Sequence, residues 1–194
     1  SGEDYLQVGR SKRNIAEYFS SLVLSFEPLN NIMIIDRSNI LYSTYDYYRL
    51  QDFDLVSSQY YEAASKHGGQ PVWLGLEDNL LFHMEGITGP EKVLTMVEPI
   101  TDFYNQEVIA VLIMDLNPDT FLDILHTENA SFPHQMTFML DQNQNLIAGD
   151  EKTFSQAIDA VAAMENSRRG SGELLVGQER MALSAITNET TGWK

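Results

Sequence analysis

The chain contains no cysteine, which excludes disulfides, thiolate metal ligands and cysteine nucleophiles together. It is also poor in positive charge: 12 lysines and arginines face 28 aspartates and glutamates, a formal net charge of −16. Affinity for nucleic acid comes mainly from clustered cations, and anionic lipid headgroups attract the same groups, so neither is an expected partner. No run of eighteen apolar residues exists that would span a bilayer. The four histidines (His67, His83, His126 and His134) form no i, i+4 pair and no HExxH, and the glycines and serines form neither a P-loop, a GxGxxG nor a GxSxG. These absences leave no metal, no cofactor and no catalytic motif to expect. Ser1-Gly-Glu-Asp4 has neither an initiator methionine nor a basic leader, and Thr191-Gly-Trp-Lys194 stops just after a turn signal. The expectation is a piece of a longer chain.

What is present reads as an α+β chain. The 194 residues suffice for one ordinary domain or two small ones. Ile15, Phe19, Leu22 and Phe26 recur at helical spacing among charged residues, and Pro28 cannot continue the pattern. This predicts an N-terminal helix of about twenty residues and about 30 Å. Asn31 to Thr44 then reads as a hairpin turned by Asp36-Arg-Ser-Asn39, and Thr137 to Asp150 repeats the pattern around Asp141. Ser57 to His67 predicts a short helix stopped by Gly68-Gly69. Strands follow at Gln70–Leu74, Lys92–Ile100 and Gln106–Leu116, the last apolar on both faces as a central strand would be. Asn117-Pro118 predicts the start of a connecting helix to about Leu125. In the second half, Thr153-Phe-Ser-Gln156 has capping-box spacing, Arg168 to Gly172 reads as a loop, and Leu174–Val176 and Met181–Ile186 read as paired strands.

The aromatic residues carry the functional signal. Tyr42, Tyr45, Tyr47, Tyr48, Phe53, Tyr60 and Tyr61 crowd one stretch, and Trp73 follows. A buried tyrosine hydroxyl needs a partner, so such a cluster suits a pocket wall better than a core. Asp115 ends the most apolar strand, either as that strand's exit to water or as an anionic anchor. Glu77, Asp78 and Glu98 leave open a hydrolase that would pair two carboxylates in one cleft. Asn129-Ala-Ser131 and Asn188-Glu-Thr190 match the glycosylation triplet, a pattern that arises easily by chance.

The order of elements resembles the double Cache (dCache) extracytoplasmic sensor domains of bacterial receptors. The phrases that carry the likeness are the hairpin Asn31–Thr44, Gln59-Tyr-Tyr-Glu-Ala-Ala64 before Gly69-Gln-Pro-Val-Trp73, Ile109 to Leu116, and Thr191-Gly-Trp193. The middle stretch is most similar to YesM-like sensor histidine kinases. The resemblance implies a long helix (1–29) along two tandem PAS-like modules with antiparallel sheets, a membrane-distal one (30–125) and a membrane-proximal one (126–194) incomplete at its C-terminus. It implies a ligand pocket in the distal module formed by Tyr45 and Tyr48 from a loop, Tyr60 and Tyr61 from the short helix, Trp73 and Asp115. Ser58 stands where the amino-acid-binding subset of the family carries an arginine, so the expected ligand is a sugar, an amine or a similar small polar metabolite. The domain itself is expected to break no bond. It would lie on the outer face of a bacterial membrane and pass its signal along the helix, in a possible homodimer, to a histidine kinase. A chemoreceptor is the alternative parent.

Overall fold

A computed structural model of the chain describes residues 2–44, 46–50, 53–66, 68–81, 89–131, 137–152, 154–155, 158, 169–176 and 179–194. Tyr45, His67, His83 and His134 lie outside these residues, as do Thr153 and Gln156 of the predicted capping box. The contacts divide the chain into two compact units, Ser1–Asn117 and Pro118–Lys194.

The first unit opens with helix α1, Gly2–Ser25, followed by strands β1 (Leu29–Asp36), β2 (Ile40–Ser43) and β3 (Asp46–Arg49). Helix α2 (Gln59–Lys66) and strands β4 (Val72–Asp78), β5 (Lys92–Thr101) and β6 (Val108–Leu116) complete it. The six strands form one sheet in the order β3-β2-β1-β6-β5-β4, antiparallel at every pairing. β1 and β6 are central, which explains why both are apolar on both faces. Alternation along the strands sorts their side chains. Met33, Ile35, Leu41, Val97, Val111 and Ile113 pack with Tyr60 and Ala64 of α2 and with Leu55 and Leu81. Ile32, Ile34, Leu112, Met114 and Leu116 pack on the opposite face with Ile15, Phe19 and Val23 of α1.

The buried stripe of α1 is therefore Ile15, Phe19 and Val23, at i, i+4 and i+8. This corrects the predicted stripe, because Leu22 and Phe26 fall outside it, Phe26 at 55% exposure and past the helix end. Once a sheet takes up one side of a helix, its own twist chooses which of two neighbouring apolar rows is covered. A second correction concerns Tyr48. It belongs to strand β3, opposite Leu41 on β2, rather than to a loop.

The second unit contains helix α3 (Asp119–Ser131) and strands β7 (Met139–Leu140), β8 (Leu146–Ala148), β9 (Arg169–Val176) and β10 (Glu179–Ile186). The connecting helix thus belongs to this unit. Its core holds Leu140, Ile147, Ala148 and Trp193, with Phe121 of α3 edge-on to Trp193 at 6.0 Å between ring centroids. β9 and β10 pair along their whole length, from Glu179 opposite Val176 to Ile186 opposite Arg169. The stretch Arg169-Gly-Ser-Gly172 is therefore strand, not loop. Its glycines read as punctuation in the sequence, but they pair with Ala185 and Leu183 on the neighbouring strand.

The two hairpins close by the same local chemistry. Asp36 Oδ1 accepts from the backbone N–H of Ser38 (2.8 Å) and Ile40 (3.0 Å), its carbonyl accepts from Asn39 N–H (2.9 Å), and Asn39 takes φ 60°. Asp141 Oδ1 accepts from Asn143 and Asn145 (2.8 Å each), its carbonyl accepts from Gln144 N–H (3.1 Å), and Gln144 takes φ 69°. An aspartate placed at a strand end so organises the turn from its own side chain.

Phe19→Ala is expected to cost about 3–5 kcal/mol by emptying the α1 face, whereas Leu24→Ala, 88% exposed, changes stability by less than about 0.5 kcal/mol. Urea denaturation of the two variants checks the placement of the stripe.

Candidate functional site

Asp115 is one of six buried polar or charged residues among the described residues, and it is 2% exposed. It sits on β6 in phase with Val111 and Ile113, so it points to the α2 side of the sheet rather than out into water. The strand runs on to Leu116, so Asp115 is not its exit. Directly opposite it stand Asn31 on β1 and Thr95 on β5, and opposite Thr95 stands Gly75 on β4. Register thus assembles a polar row, Asn31–Asp115–Thr95–Gly75, across four strands. Asn31 and Thr95 are each 1% exposed.

The row is incompletely satisfied. Thr95 Oγ1 donates to Asp115 Oδ1 at 2.9 Å, and Thr44 Oγ1 donates to Asn31 Oδ1 at 3.1 Å. Asn31 Nδ2 is buried and has no partner among the described residues. Burial pushes the Asp115 carboxyl up to about 7, and the Thr95 hydrogen bond only partly opposes this. No cation among the described residues offsets the burial. Arg37 is engaged with Glu107 and Tyr61, Lys66 with Glu62, and Lys92 with Asp78.

Above the sheet, the first turn of α2 supplies Tyr60, which is 8% exposed. Its hydroxyl is pushed up to about 12, chiefly by burial and then by the negative charges of Asp115, Glu77 and Asp78. Those same charges make this a negative environment. Phe53 leans on Tyr60 with ring centroids 6.4 Å apart. Gly75 adopts φ 99° beside an irregularity in the β4–β5 register, a conformation and a lack of side chain that suit close approach by another group.

The structure brings Asp115 and Tyr60 together, and among the other described candidates Tyr61 and Trp73 have different surroundings. Tyr61 packs partly against the α2-side core, and its hydroxyl accepts from Arg37 Nη2 at 3.2 Å near the surface. Trp73 pairs with Met96, which pairs with Met114, and Met114 packs on the α1 face. Trp73 thus stands on the face of the sheet opposite Asp115. One residue of register decides this. Tyr48 lies on β3, three strands from β6, with a side chain outside the described residues, and Tyr45 is wholly outside them. Asn31 and Thr95 were missed. The available signal was a polar residue in an apolar strand, but nothing local shows that the two flank one aspartate.

The carboxylates of a hydrolase are not gathered. Glu77 pairs with Val93 and accepts from Gln59 Nε2 at 2.9 Å, Asp78 is outward and bridged to Lys92, and Glu98 pairs with Leu112 on the α1 face. Among the described residues no group of acids and histidines could hold a metal ion.

No known family and no curated protein matches the sequence. Solved structures do. The extracellular domain of vpHK1S-Z8, described as a histidine kinase, superposes with a TM-score of 0.61 at 16% identity over 98% of this chain and 78% of that one. The corresponding domain of rpHK1S-Z16 gives 0.64 at 12% over 92% and 73%. The ligand-binding domain of the Campylobacter jejuni chemoreceptor Tlp3, in complex with 4-methylisoleucine, gives 0.59 at 14% over 93% and 78%. At such identities the likeness is one of fold: this chain has the α+β fold of sensory ligand-binding domains found in chemoreceptors and histidine kinases.

The raised Asp115 carboxyl holds its proton in the folded state through a range where the unfolded chain has lost it. Its contribution to stability is therefore full below about pH 4 and declines as pH rises toward 7, at up to about 1.4 kcal/mol per unit. Asp115→Asn is expected to gain stability relative to the parent as pH rises from 4 to 7, read from denaturation midpoints across that range.

Proposed function

We propose that the first unit is the ligand-binding half of a dCache-like sensor domain, carried on the outer face of a bacterial membrane by a signalling receptor. The single observation that supports it best is a buried carboxyl with one hydroxyl donor and no described cation to neutralise it. A core has no use for that group, whereas a ligand that brings a positive charge gives it one. The surroundings of Tyr60 add to this, since Asp115, Glu77 and Asp78 all place negative charge there. The ligand is a small polar solute bearing an amine. A ligand held by a carboxylate would need a guanidinium, and Ser58 stands where the resemblance would place one.

On this reading the domain catalyses nothing, and binding works by population shift. A ligand moves the receptor only by its preference for one conformation over the other, and a swing from 1:99 to 99:1 takes about 5.5 kcal/mol. Pairing an ammonium with a buried carboxylate, together with the ring of Tyr60, supplies interactions of that order. Helix α1 is the transmitter, because its Phe19 stripe packs on the back of the same β1 and β6 that carry Asn31 and Asp115. Both sides of the sheet therefore feel a change in strand position. The parent is a histidine kinase of the YesM-like kind, with a chemoreceptor as the second reading, and a paired α1 from a second copy would complete the output.

A thermal-shift screen of amines, amino sugars, sugars, amino acids and organic acids tests this. Amine-bearing solutes are expected to raise the melting temperature in a concentration-dependent way. Asp115→Ala and Tyr60→Ala abolish the shift, and Trp73→Ala keeps it because its side chain is on the other face. A chain that no solute stabilises would be a structural spacer.

A further inference from the structure

We propose that Asn31 is a specificity-determining residue of this site: its side-chain amide donates to a neutral oxygen of the ligand whose amine rests on Asp115. The ligand class is then a primary amine carrying a hydroxyl or carbonyl oxygen, such as an amino alcohol, an amino sugar or an amino-acid amide. This rests on the first unit being the ligand-binding one.

Three observations carry it. Asn31 is 1% exposed, and its Nδ2 has no partner among the described residues. A buried amide donor is ordinarily paired, so one left open in a fixed position calls for an explanation. The side chain is held at its other end, where Oδ1 accepts from Thr44 Oγ1 at 3.1 Å. Second, Asn31 is the direct cross-strand partner of Asp115 on β6. Side chains at such paired positions lie on one face, with their Cβ atoms about 5 Å apart. That spacing suits two adjacent polar groups of one small molecule. Third, Asp115 is already placed by Thr95 Oγ1 on its other side, and Gly75 at the end of the row contributes no side chain. The open functions of the row are thus an acceptor on Asp115 and a donor on Asn31.

The charges around the row decide which oxygen the donor meets. Tyr60 faces it from α2, Glu77 lies on the same side of β4, and Asn31 and Thr95 are neutral. Of the described cations, Arg37 is engaged with Glu107 and Tyr61, Lys66 with Glu62, Lys92 with Asp78, and Lys12 lies over the Tyr42 ring. A ligand carboxylate would sit beside Asp115 with a single neutral donor for company, and like charge disfavours it there. A hydroxyl or amide oxygen needs no more than the one N–H that Asn31 offers.

Isothermal titration calorimetry on the whole chain at pH 8 tests this with ethanolamine, D-glucosamine and L-valinamide against n-propylamine, D-glucose and L-valine. At least one of the three oxygen-bearing amines is expected to bind ten-fold or more tightly than n-propylamine. Asn31→Leu is expected to erase that preference by weakening the oxygen-bearing amines ten-fold or more relative to n-propylamine. Asn31→Ser, smaller and still polar, serves if the leucine variant does not fold, and is expected to reduce the preference. Equal binding of n-propylamine, an intact preference in both variants, L-valine as the tightest probe, or no amine binding at all would each overturn the assignment of Asn31. Binding of D-glucose or L-valine that Tyr60→Ala removes, with no preference among amines, would overturn it while leaving the ligand-binding role of the unit standing.

Discussion

An aspartate buried in the middle of a β-sheet, with a threonine hydroxyl as its donor and no described cation in reach, is the constraint around which the first unit is organised. Removing a carboxylate from water is expensive unless something compensates, and here burial instead raises the carboxyl to about 7. The strand that carries it places Val111, Ile113 and Asp115 on one face, so the acid interrupts an apolar row. The retention of an acid there, beside an asparagine with an open amide, is a departure from what packing alone would choose.

The sheet separates two jobs by face. On one side, Met33, Ile35, Val97, Val111 and Ile113 form the floor beneath α2, and the polar row continues that floor toward β4. On the other, Ile32, Ile34, Leu112 and Met114 hold α1 through Phe19 and its neighbours. The two sets alternate along the same central strands, so a shift of β1 or β6 on one side is necessarily a shift on the other. Close packing makes such an element pass on small displacements rather than absorb them.

Much of this architecture was legible from residue order. Asp36 and Asp141 announce their turns because a strand-end aspartate builds the turn from its own side chain, and both do so with the same hydrogen bonds. Val108 to Met114 reads as central because both faces are apolar, and it is central. Two readings failed for a shared reason. Phe26 against Val23 on α1, and the loop assigned to Arg168–Gly172, of which 169–172 are strand, both depended on which surface a partner element covers, and that information is not local.

The site shows the same division. From sequence alone come the fold class, the acidic surface, the absence of cysteine chemistry, the tyrosine-rich segment and the oddity of Asp115, because composition, periodicity and turn chemistry are properties of neighbouring residues. Only the tertiary structure decided that Tyr60 shares the environment of Asp115 while Trp73 faces away, and that Asn31 and Thr95, 64 positions apart, flank the same carboxyl. Strand pairing and register join residues that are distant in the chain, and a shift of one residue exchanges the two faces of a strand, so no local pattern can state the outcome.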